Sequence, residues 1–145
     1  MDTTGAAVTE ARPRPTNSGP GRILVAVYGI FALAACARAA VQLATKFSDA
    51  PLAYLLSALA GLIYVVATVT LARGTATSRR VALAAIMIEA VGVLAVGTAS
   101  LLDPAAFPSA TVWSTYGIGY GFVPLVLPFL GLAWLYRTRP RAYVR

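Results

Sequence analysis

Four long apolar runs separated by short polar breaks set the pattern of this chain. The first follows Arg22 and extends from Ile23 to about Thr45, interrupted by Arg38 and Gln42. The second spans Leu52–Ala72, the third Val81–Leu102 and the fourth about Val112–Tyr136. At about 1.5 Å per residue the first run makes a helix of about 34 Å, enough for a hydrocarbon core of about 30 Å. The pattern predicts an all-α membrane protein, a four-transmembrane-helix bundle with short loops.

The breaks read as turns. Lys46–Pro51 is a polar turn in which Ser48 or Asp49 can cap the second helix, with Pro51 tolerated in its first turn. Gly74–Arg80 is a loop ending in two arginines. Asp103-Pro104 ends the third run, since a residue before proline is biased away from helix. Beyond this connection, Trp113 and Tyr116 are expected at the membrane interface, where amphipathic aromatics collect.

Small and polar positions inside the runs recur at helical spacing. In the second run Tyr54, Ser57, Gly61, Tyr64 and Thr68 share one face. In the fourth, Gly117, Gly121, Pro124, Pro128, Gly131 and Leu135 do the same, with Gly117 and Gly121 forming a GxxxG pair. These faces read as helix-packing seams, with a solute-facing stripe as the alternative for the second run. The prolines should bend the fourth helix.

Two ionisable residues lie within the runs. Glu89 stands about 12 Å past Val81, near a bilayer midplane, and Arg38 about 22 Å past Ile23, in the opposite half. A carboxylate at such depth faces the bundle and either pairs or takes a proton. Three readings follow: an Arg38–Glu89 ion pair that fixes packing, a protonatable Glu89 in a proton- or cation-coupled transporter, and a Glu89 that meets a partner subunit. Gln42, one turn beyond Arg38, can extend the polar line.

Charge then orients the bundle. With the N-terminus inside, Arg12, Arg14, Arg22, Arg73, Arg79, Arg80, Arg137, Arg139, Arg141 and Arg145 all lie on the cytoplasmic side. Arg38 and Lys46 fall outward with Asp49 and Asp103, so the positive-inside rule gives both termini to the cytoplasm. The domain plan is a disordered cytoplasmic tail over 1–21, a four-helix domain over 22–137 and a basic cytoplasmic tail over 138–145. The basic ends can sit against anionic headgroups. The arginines flank apolar runs instead of forming a basic domain, which argues against a nucleic-acid partner.

Composition narrows the chemistry. Histidine is absent and Cys36 is the single cysteine, so intrachain disulfides, Cys/His metal sites, haem ligation by His and His-dependent triads are excluded. No catalytic set, metal site or cofactor is expected. Leu33-Ala34-Ala35-Cys36 looks like a lipoprotein processing site, but Ala37 and Arg38 follow where a polar tether belongs, and an uncleaved helix is the simpler expectation. Gly117–Gly121 looks like a potassium-channel filter, yet only Val123–Arg137 would remain for an inner helix, too short for a span. The glycines are better explained by packing.

Lys46 is the only lysine among twelve basic residues, a bias of high-GC bacterial coding. In composition, topology and stretches such as Ala50–Tyr64 and Thr111–Pro128, the chain resembles small uncharacterised four-span integral membrane proteins of actinobacterial type. That resemblance implies a bacterial plasma-membrane protein and no established activity. The expectation is a non-enzymatic accessory or structural subunit of a larger membrane complex, or a homo-oligomer, with a transporter using Glu89 as the alternative.

Overall fold

The computed structural model describes residues 15–139, and they form only helices and turns. Helix α1 runs Pro20–Thr45, α2 Pro51–Arg73, α3 Ala76–Leu102 and α4 Val123–Arg137. Helices α1, α2 and α3 are each long and apolar enough to cross a membrane. The fourth run is not one helix. Ser114–Tyr120 forms tight 3₁₀ turns that meet α4 at 99°, and the two together make a fourth candidate span.

Local sequence accounts for most of the boundaries. Pro20 and Pro51 start α1 and α2, where a missing N–H costs nothing. Gly74 ends α2 in the left-handed conformation (φ 66°), and Thr75 then caps α3 by accepting from the Ser78 N–H at 3.1 Å. Neither Ser48 nor Asp49 caps α2, because both lie in a 3₁₀ turn and the residue at the cap is Ala50. Asp103 ends α3, and its carboxylate accepts from the Ala106 N–H.

The expected continuous fourth helix fails for a backbone reason. Thr115, Tyr116, Gly117, Gly121 and Phe122 all take positive φ, which a right-handed helix cannot accommodate. Gly117 (φ 81°) is required there, since a Cβ would sit 2.6 Å from the Pro124 ring. The GxxxG pair is therefore a pair of turn glycines, and Gly121 is exposed. Helix α4 begins only at Val123, with Pro124 in its first turn and Pro128 the one proline inside it.

Packing is inverted relative to a water-soluble bundle. Bulky aliphatics face outward, including Ile23, Ile30, Leu33, Leu62, Val91 and Leu102. The interior holds small residues such as Ala53, Ala60, Ala67, Ala82 and Ala85, together with Tyr28, Tyr64 and Glu89. Lipid rewards this arrangement, because apolar side chains gain nothing by leaving it while small residues let backbones approach and polar groups meet. At Gly61 a Cβ would lie 3.2 Å from the Cys36 backbone nitrogen, so α1 and α2 touch main chain to main chain.

One end of the bundle is tied by polar contacts. Thr16, fully buried, donates to the Leu71 carbonyl, Asn17 donates to the Ala72 carbonyl at 2.9 Å, and Trp134 Nε1 donates to the Thr16 carbonyl at 2.9 Å. Arg79 donates to Leu135 O at 2.7 Å and Thr138 Oγ1 at 2.9 Å. The start of α1, the end of α2, the start of α3 and the end of α4 thus share this end. The expected free tail over 1–21 is corrected accordingly for its last residues, because their polar groups satisfy the exposed helix-end carbonyls. Residues 1–14 and 140–145, which carry Arg12, Arg14, Arg141 and Arg145, lie outside the described residues.

Candidate functional site

The interior centres on Glu89. Helix α3 carries it inward on a buried face with Ala82, Ala85, Ile86, Val93 and Val96, and it is fully buried. Tyr28 of α1, equally buried, donates its hydroxyl to Glu89 Oε2 at 2.7 Å. Glu89 Oε1 is buried and has no hydrogen-bond partner among the described residues. Gly131 of α4 leaves room for the pair: a Cβ there would stand 3.1 Å from the Tyr28 hydroxyl and 2.9 Å from Ile86.

Tyr64 of α2 adjoins this pair, its ring 6.2 Å from that of Tyr28. It accepts a hydrogen bond at 3.0 Å from Trp113 Nε1. Phe31 packs edge-on against Tyr64 at 5.9 Å and tilted against Tyr120 at 5.8 Å. The Tyr120 hydroxyl in turn accepts from Arg38 Nη1 at 2.8 Å, while Arg38 Nη2 donates to the Ala110 carbonyl at 3.3 Å. A row of aromatic rings therefore separates one ionisable residue from the other.

The expected Arg38–Glu89 ion pair is not formed. Arg38 reaches the connection after α3, where a carbonyl and a phenol satisfy its donors, and the carboxylate is met by Tyr28. Gln42 extends no polar line, since its buried Oε1 is without a partner among the described residues. On α2, Tyr54, Ser57, Gly61 and Tyr64 are buried, and Thr68 is half-buried with its hydroxyl bonded back to Tyr64 O at 2.6 Å. Pro124, Pro128, Gly131 and Leu135 form the buried face of α4. Cys36 lies within the unbroken α1.

Trp113 has an interior role that sequence reasoning missed. It is buried between α2 and α3, where a Cβ on Gly92 would come within 2.6 Å of its ring. Its signal was the notch formed by Gly92 and Gly97 on α3, which receive Trp113 and Tyr116 respectively. Tyr28 carried a signal as well, the one hydroxyl in a buried α1 stripe of Leu24, Tyr28, Ala32, Ala35 and Ala39.

Chemically the site offers one carboxyl group, phenols and an indole. Among the described residues no group of three or more His, Cys, Asp or Glu comes together to hold a metal ion. No family model, curated protein or solved structure matches the chain.

Proposed function

We propose that this chain is a multi-pass protein of a bacterial plasma membrane, crossing four times with both termini cytoplasmic and acting as a non-enzymatic helical subunit. Its partners are copies of itself or a larger membrane complex. Charge sorting supports the orientation: Arg22, Arg73, Arg79, Arg80, Arg137 and Arg139 occupy one end, and Lys46, Asp49 and Asp103 the other. On this reading the last crossing is a bent one, built from the turns Ser114–Tyr120 toward the outer side and α4 toward the inner, which meet at 99°.

The observation that carries the subunit reading is the enclosure of Glu89 by Tyr28 on a buried helix face. Three surface grooves lie elsewhere, between α1 and α4, α2 and α3, and α3 and α4, and Glu89 lines none of them. A carboxyl group so placed specifies which helix faces meet. Purification in mild detergent tests this. Recovery as a discrete oligomer or with a larger complex is expected, and a lone monodisperse monomer counts against it.

A second reading rests on Glu89 Oε1, which is buried without a partner among the described residues. A proton or small cation completing that oxygen would make Glu89 the coupling group of a transporter. Reconstituted vesicles would then show flux or a proton-coupled response that disappears in Glu89→Gln. Flux unchanged by the substitution eliminates this reading.

A further inference from the structure

Where the start of α3 meets the end of α4, a groove of about 470 Å³ opens on the surface. Its walls are apolar, with Leu83, Leu132 and Leu135, and its rim holds Arg79, Arg80 and Arg139. Arg79 is fixed by its bonds to Leu135 O and Thr138 Oγ1, so its charge stays at the seam between the helices. Arg139 lies over the Tyr136 ring with its guanidinium carbon 4.1 Å from the centroid, and it donates to the Tyr136 hydroxyl at 3.2 Å. Arg80 is exposed beside them.

None of the residues lining the groove is acidic. Of the described carboxylates, Asp49 and Asp103 are at the far end and Glu89 is inside the bundle. The first turn of α3 adds the partial positive charge of a helix N-terminus, with Ala76 in the lining. A water-soluble anion would satisfy this rim and leave the leucine walls unused. A zwitterionic lipid would cover the walls and bring its own cation against three arginines.

We propose that this groove binds one anionic phospholipid, its phosphate held by Arg80 and Arg139 and its acyl chains lying along Leu83, Leu132 and Tyr136. The site rests on the membrane-spanning reading and is independent of any subunit role. It places the headgroup at the end of the bundle assigned to the cytoplasm, where basic pockets between helices recognise such lipids. Its effect on the protein is to bridge α3 and α4 over the contact that Arg79 makes from within.

The test uses the full chain, expressed in membranes, purified in detergent and probed by native mass spectrometry with added phosphatidylglycerol or phosphatidylcholine. One tightly retained phosphatidylglycerol per chain is expected, with phosphatidylcholine much weaker. Removing two of the three rim charges in Arg80→Ala/Arg139→Ala should weaken retention about thirtyfold, from roughly 1 kcal/mol per arginine near the headgroup layer. The control Arg22→Ala/Arg73→Ala removes equal charge from the same end and should weaken it far less. Leu83→Trp, which fills the groove and keeps its charge, should also displace the lipid. Equal loss in the control pair, equal binding of phosphatidylcholine, or displacement by glycerol phosphate alone would overturn the site. Recovery of the chain without membranes would overturn the spanning reading, and the site with it.

Discussion

Glu89 and Arg38 each meet a tyrosine hydroxyl inside an apolar helix, and little else about the two meetings is alike. Glu89 has a short side chain on a buried face of α3, so its partner must come to it, and Tyr28 does. Arg38 has a long side chain on α1 and is half-buried, so it extends to Tyr120 and to the Ala110 carbonyl beyond α3. The carboxyl group is enclosed and keeps one bare oxygen among the described residues. The guanidinium borrows polar groups from the turns around it, as long cationic side chains do near an interface. Reach decides which ionisable side chain of an apolar helix can leave the core.

The two sites are held apart by Tyr64, Phe31 and the Trp113 indole that fixes Tyr64. Breaking that partition gives the largest effect. Trp113→Ala empties a buried site between α2 and α3 and removes the donor to Tyr64, a loss of about 3–5 kcal/mol. Thermal unfolding in mild detergent should show it as more damaging than Glu89→Leu, Tyr28→Phe or Gly117→Ala. A loss below about 1 kcal/mol would mean that the indole does not fill that site.

Within the enclosed site, Glu89→Leu leaves the Tyr28 hydroxyl buried and unpaired, and Tyr28→Phe leaves Glu89 without a donor. Each should cost about 1–3 kcal/mol, while Tyr28→Phe/Glu89→Leu, which removes both partners, should recover most of that. Additive losses in the double variant would show that Tyr28 and Glu89 do not act on each other. The same cycle applied at Arg38 and Tyr120 should give weaker coupling, because water and the Ala110 carbonyl compete there.

What could be read from the sequence follows the same division. Three apolar helices, their turns and the sorting of arginines to one end are consequences of hydropathy and of Pro and Gly placement, which are local. The inward faces of α2 and α4 are legible from spacing, through Tyr54, Ser57, Gly61 and Tyr64 and through Pro124, Pro128 and Gly131. The partners of Glu89 and Arg38 were not legible. Pairing by charge ignored that a phenol satisfies either sign, accepting from Arg38 and donating to Glu89. The break after Val112 was missed because helical spacing of Gly and Pro also suits a run of left-handed turns, which only the Pro124 contact of Gly117 discriminates.

That break supports the Arg38 site and leaves the Glu89 site alone. Gly117→Ala forces a side chain into the left-handed region and against Pro124, at about 1–2 kcal/mol. It should also shift the turn that presents Tyr120, reducing Arg38–Tyr120 coupling while Tyr28–Glu89 coupling persists. Loss of both couplings together would mean that the sites form one network through the aromatic row.

The smallest expected number is the coupling between the two charges themselves. Among the described residues Arg38 and Glu89 share no hydrogen-bond partner: the donors of Arg38 go to Tyr120 and Ala110, and the bond to Glu89 comes from Tyr28. Sites without a shared partner add within about 0.5 kcal/mol. The cycle of Arg38→Gln, Glu89→Gln and their combination should close to that margin in detergent unfolding. The exchange Arg38→Glu/Glu89→Arg is stricter, because a direct pair would survive the swap. Here it should be worse than either single change, since it places a long cation in the enclosed site and a short acid where only a long side chain reaches Ala110. Rescue by the exchange would restore the ion pair and remove the distinction between an enclosed site and an escaping one.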